Sequence, residues 1–95
     1  MKTTETRVMG TSHKDFFRTL PDAVRPYDYR IEGSLIYLAN ENKKIKISLS
    51  KEWQRKIANI SIPVTEVRLD FSNFQEDEIT VFMRKFDSYF RKGGG

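Results

Sequence analysis

The sequence predicts a single α+β domain: a two-layer sandwich with helices packed on one face of a mostly antiparallel sheet of four to five strands, in the order (β)-α-β-β-β-α-β-α. Three observations carry that expectation. From Tyr27 to Leu49 the chain reads as three short alternating blocks separated by turn residues, the pattern of an antiparallel meander. A fourth alternating block stands at Thr65–Ser72. Gln75–Lys92 carries Ile79, Phe82, Met83, Phe86 and Phe90 at i, i+3, i+4, i+7 and i+11, which is one face of a helix. Striped helices and one-sided strands bury their apolar surfaces together most simply in two layers around one core. A chain of 95 residues has room for one such core, so residues 1–95 read as one domain.

Within Met1–Gly10, Thr3, Glu5, Arg7 and Met9 alternate with Thr4, Thr6 and Val8, which suits a short edge strand or a flexible tail. Ser12 has the chemistry of a helix N-cap, with Asp15 three residues on, and Phe16, Phe17 and Leu20 follow at helical spacing. Pro21 either ends that helix near Leu20 or lies within a further turn through Asp22–Val24. Tyr27, Tyr29 and Ile31 alternate with Asp28, Arg30 and Glu32 in the first strand of the meander. Ser34–Asn40 is apolar on both sides, with Leu35, Tyr37 and Ala39 opposite Ile36 and Leu38, and suits a central position. Lys44–Leu49 puts Ile45, Ile47 and Leu49 on one side and Lys44, Lys46 and Ser48 on the other.

Ser50 is a second candidate N-cap. Trp53, Ile57 and Ile60 at i, i+4 and i+7 predict a short helix from Lys51 to about Asn59. Pro63 then forces Ile62 to be extended and opens a strand that turns Val67, Leu69 and Phe71 one way and Glu66, Arg68 and Asp70 the other. Its pairing, parallel or antiparallel, stays open, because the Ser50–Pro63 interval is long enough for a crossover. Acidic Glu76, Asp77 and Glu78 in the first turn of the last helix, and basic Arg91 and Lys92 in its last, complement the helix dipole. Residues 93–95 are expected to form a disordered glycine tail. The diglycine of ubiquitin-like carriers follows a strand, and this one follows a helix.

Composition narrows function by exclusion. With no cysteine there are no disulfides, thiolate metal sites or cysteine nucleophiles. One histidine, His13, rules out a multi-histidine metal site, so no metal and no cofactor is expected. Ser12, His13 and Asp15 lie within four residues, whereas a catalytic triad converges from separate segments; no enzyme is expected. No apolar run approaches the ~18 residues of a membrane span, and Met1–Gly10 lacks the apolar core of a secretory signal. A cytoplasmic, non-membrane protein is therefore expected.

The net charge of +4 is spread thinly, with one local cluster at Lys43, Lys44, Lys46, Lys51, Arg55 and Lys56. If Lys51–Asn59 is helical, Lys51 and Arg55 lie one turn apart and point together into solvent, making a basic corner that suits phosphates or an acidic partner. Tyr27, Tyr29 and Tyr37 are expected as half-buried core, since the aromatic–glycine signature of RNA-recognition folds is absent. The leading expectation is a small non-catalytic protein-binding or regulatory module, acting through an exposed sheet face or the basic corner. A nucleic-acid-binding module built on Lys43–Lys56 is the alternative, and an enzyme with a small unrecognised site stands third.

Overall fold

A computed structural model describes residues 3–93. The elements run β1 (Thr3–Met9), α1 (His13–Ala23), β2 (Asp28–Glu32), β3 (Leu35–Asn40), β4 (Lys43–Leu49), β5 (Trp53–Ile57), β6 (Ile60–Ser72) and α2 (Glu76–Gly93). Six strands form one antiparallel sheet in the order β1-β6-β4-β3-β2, with β5 pairing β6 beyond the end of β4. The α+β class, the antiparallel meander and the last helix agree with the sequence; of the two readings open for Met1–Gly10, strand or tail, Thr3–Met9 is a strand. The strand count is higher than expected, because the segment taken for a helix is a strand. Lys51–Asn59 contains β5, and β6 begins at Ile60 rather than near Thr65, so the order is β-α-β-β-β-β-β-α. Of the expected glycine tail at 93–95, Gly93 is the last residue of α2, and Gly94 and Gly95 lie outside the described residues.

Local chemistry explains the boundaries. The Ser12 hydroxyl accepts from the Asp15 backbone N–H at 3.1 Å, which caps α1 as its sequence predicts. Pro21 lies inside α1, which runs on to Ala23. Glu78 reaches back to the Gln75 N–H at 2.7 Å and fixes the start of α2. Three two-residue turns join the hairpins, and each begins with a left-handed residue: Gly33 (φ 61°), Glu41 (φ 58°) and Ala58 (φ 54°). Such turns match the right-handed strand twist by admitting positive φ.

Alternation along the strands sorts the side chains. Ile36 and Leu38, Ile45, Ile47 and Leu49, and Val67, Leu69 and Phe71 are buried, in one cluster with Phe16 and Leu20 of α1 and Ile79, Phe82, Met83, Phe86 and Phe90 of α2. Aromatic rings run through this cluster. Phe16 stacks on Phe90 at 4.7 Å, Phe82 on Phe86 at 5.9 Å, and Phe71 meets Phe82 edge-on at 5.6 Å. Arg7 of β1 adds a polar tie to α2 through Asp87 at 3.1 Å. The intervening residues, Arg30, Lys44, Lys46, Glu66 and Arg68, are exposed on the other face. No side chain from 50–66 joins the buried cluster.

Candidate functional site

The segment that leaves the core is a two-stranded ribbon. β4 and β5 both pair along the same edge of β6. Leu49 faces Val67 and Trp53 faces Val64, so the β4–β5 side holds one residue more than β6 does. That is a bulge at Ser50–Glu52, which bends and twists a strand away from its sheet. Thirteen residues at about 3.3 Å each make β6 roughly 43 Å long, close to the 46 Å longest dimension of the molecule.

The base of the ribbon is held tightly. The Ser50 N–H donates to the Glu66 carbonyl at 2.9 Å, and the Ser50 hydroxyl accepts from the Glu66 N–H at 2.9 Å. His13 contributes two contacts from the first turn of α1. Its ring Nε2 donates to the Ser50 carbonyl at 2.7 Å, and its backbone N–H donates to the Glu52 carboxylate at 2.6 Å. Glu52 thus lies at the positive end of α1, where a carboxylate is stabilised. Buried Thr65 donates its hydroxyl to the Thr11 carbonyl at 2.9 Å. His13, which the sequence suggests only as a surface residue, is a strut between helix and bulge.

Beyond this base every β5 residue is exposed. The pairs Trp53–Val64, Arg55–Ile62 and Ile57–Ile60 put five apolar side chains and Arg55 on one face, on which Val64 is buried at the base and Ile62 half-buried, leaving Trp53, Ile57 and Ile60 exposed. Gln54, Lys56, Ser61 and Pro63 take the other. Trp53 is 42% exposed, Ile57 54% and Ile60 62%. No carboxylate occurs between Trp53 and Val64, and Glu52 is engaged at α1, so the ribbon presents only Arg55 and Lys56 as charges. This ribbon is the part the sequence reading missed. Its signal was Ile60-Ser61-Ile62, which alternates at strand period beside β-branched Val64 and Thr65.

The expected basic corner is not one place. Lys43 pairs with Glu78 and sits over the Phe74 ring at 5.9 Å. Lys44 and Lys46 are on the exposed sheet face, Lys51 is at the bulge, and Arg55 and Lys56 point to opposite faces of the ribbon. Lys51 and Arg55 do not share a helical turn, because no helix forms there. Of the three tyrosines expected in the core, Tyr27 packs against the cluster, Tyr29 is 44% exposed and Tyr37 lies on the open face.

No protein-family model matches the chain, and no curated protein matches it. The geometry therefore carries the argument alone. Among the described residues, no three metal-ligating side chains come together and no helix is long and apolar enough to cross a membrane.

Two carboxyls titrate below their ordinary range. The Lys43 ammonium and the Gln75 N–H hold down Glu78, and the Thr4 hydroxyl and then Arg68 hold down Asp70. Both are deprotonated in the folded state at pH values where the unfolded chain binds protons. Their contribution is whole above the ordinary carboxylate range and is lost as pH falls through the folded values. The melting temperature should fall between pH 6 and pH 3, and Glu78→Gln should shrink that fall. Parallel pH profiles for Glu78→Gln and the parent would remove Glu78 from this account.

Proposed function

We propose that the chain is a non-catalytic docking module, a two-layer domain whose helices cover one face of the sheet and whose β5–β6 ribbon is the contact element for another protein. One observation carries this: Trp53, Ile57 and Ile60 are exposed on a single face, around Arg55, on a ribbon whose base is anchored and whose tip touches no core. Large apolar side chains left in water together mark contact surfaces. Tryptophan and arginine are the residues that most often dominate such contacts.

The partner this face fits is a protein with an apolar groove bordered by carboxylates. Arg55 supplies the charge that such a rim would meet, and the ribbon has no carboxylate to repel it. A nucleic acid fits this face less well, since phosphate binding needs converging cations, whereas Arg55 and Lys56 point opposite ways. A second copy fits poorly too, because pairing two identical ribbons supplies no carboxylate for either Arg55.

The test is photo-crosslinking in cells, with a benzophenone side chain replacing Ile57 in one variant and exposed Lys14 of α1 in another. One discrete protein adduct is expected from position 57, lost when Arg55→Glu is added, and none from position 14. Adducts shared by both positions, or adducts to nucleic acid or lipid, would sink the proposal.

A further inference from the structure

The exposed sheet face holds a second arrangement that the ribbon does not use. Strand register draws one row across it: Thr4 of β1, Asp70 of β6, Lys46 of β4, Tyr37 of β3 and Arg30 of β2. The Arg30 guanidinium carbon lies over the Tyr37 ring, 4.9 Å from its centre, a cation–π pair that offers a base a platform. Lys46 is the next residue in the row. Lys44 lies two residues away on the same strand and the same face. These side chains surround a shallow depression of about 760 Å³, also bordered by Asp28 and Arg68.

Charge in the depression is biased rather than balanced. Arg30, Lys44, Lys46 and Arg68 face two carboxylates, Asp28 and Asp70. Asp70 is already occupied, accepting from the Thr4 hydroxyl at 2.7 Å and pairing with Arg68 at 3.4 Å. Arg30 pairs with Glu32 at 2.9 Å while its guanidinium carbon stays over the Tyr37 ring. Among the described residues, Lys44 and Lys46 have no carboxylate within ion-pair distance. Two unpaired ammonium groups at strand spacing, beside an aromatic–guanidinium platform, match a ligand that alternates anionic groups with flat rings. An acidic peptide offers the charge without the rings.

We propose that this face binds single-stranded nucleic acid, with backbone phosphates on Lys44 and Lys46 and a base stacked on the Tyr37–Arg30 platform. Binding of this kind is tolerant of sequence, because every base has a stacking face and point charges read phosphates alone. The site is independent of the ribbon, so either proposal can fail without the other.

The experiment is fluorescence anisotropy of the full chain with a labelled fifteen-nucleotide oligothymidine, in 50, 100 and 200 mM KCl. Binding is expected to weaken with salt at a log–log slope of about −1.4, from two contacts at about −0.7 each. Lys44→Gln with Lys46→Gln should bring that slope towards zero. Tyr37→Leu, which keeps apolar bulk but removes the ring, should weaken binding about 5- to 150-fold at an unchanged slope, as the loss of one stacked base does, and Tyr37→Phe should restore it. Arg55→Gln with Lys56→Gln should leave binding unchanged. Four results would overturn the proposal: no binding at 50 mM salt, equal binding to polyglutamate, equally tight binding to a mononucleotide, or loss of binding in the ribbon variant instead of the Lys44/Lys46 variant.

Discussion

Truncating Phe86 to Ala is expected to remove about 3–5 kcal/mol of folding stability. Phe86 is fully buried, at 0% exposure, and three other rings lie around it: Phe90 at 4.6 Å, Phe82 at 5.9 Å and Phe16 at 6.4 Å. Phe16 belongs to α1 and the others to α2, so Phe86 joins the two helices. Removing the ring forfeits its transfer from water and leaves a cavity that rigid neighbours cannot fill. A domain of this size has about 5–15 kcal/mol in total, so the loss is a large share. At about 4–8 °C per kcal/mol, the melting temperature should drop by roughly 12 °C or more. Val81 on the same helix is 65% exposed, and Val81→Ala should change stability by less than about 0.5 kcal/mol. Chemical denaturation of both variants checks this. A loss below about 1 kcal/mol for Phe86→Ala would mean that α2 does not close the core.

The core was legible because its signals are redundant. Ile79, Phe82, Met83, Phe86 and Phe90 repeat at helical spacing over several turns, with charges of the right sign at each end. Ile45, Ile47 and Leu49, and Val67, Leu69 and Phe71, alternate without interruption. Each set has one reading, and all are buried together. The ribbon was misread because its signals conflict. Trp53, Ile57 and Ile60 fit a helical stripe by spacing, yet they sit on paired strands where Ile57 faces Ile60. The turn between them is Ala58-Asn59, with Ala58 at φ 54°, a conformation that glycine or asparagine would have announced at that position. The same conflict broke up the basic corner's geometry, since a helix was to bring Lys51 and Arg55 together and none forms there. Tyr37 went astray differently. β3 is apolar on both faces, so alternation alone does not say which set is buried; Ile36 and Leu38 are, and Tyr37 is left on the other face.

Excising the ribbon should separate folding from function. The variant replaces residues 54–63 by Asn-Gly, so that Trp53 and Val64, which already face each other, close a two-residue turn of the kind hairpins favour. Stability should change little, by about 1 kcal/mol, because the removed residues are exposed apart from half-buried Ile62 and Pro63. The buried cluster contains nothing from the removed segment. The contacts that anchor the base, from His13 to Ser50 and Glu52, between Ser50 and Glu66, and from Thr65 to Thr11, all survive. Docking should nonetheless be lost, because Arg55, Ile57, Ile60 and Ile62 go with the segment. The readout is competition: unlabelled parent chain should suppress the adduct formed from position 57, and the excised chain should not, at equal concentration. Oligothymidine binding should persist in the excised chain, since Arg30, Tyr37, Lys44 and Lys46 lie on β2, β3 and β4. If the excised chain unfolds, the exposed Ile57 and Ile60 serve folding rather than contact. If it competes as well as the parent, the docking surface lies elsewhere. A folded chain that keeps nucleic-acid binding and loses the partner would fix the two activities on separate surfaces of one small domain.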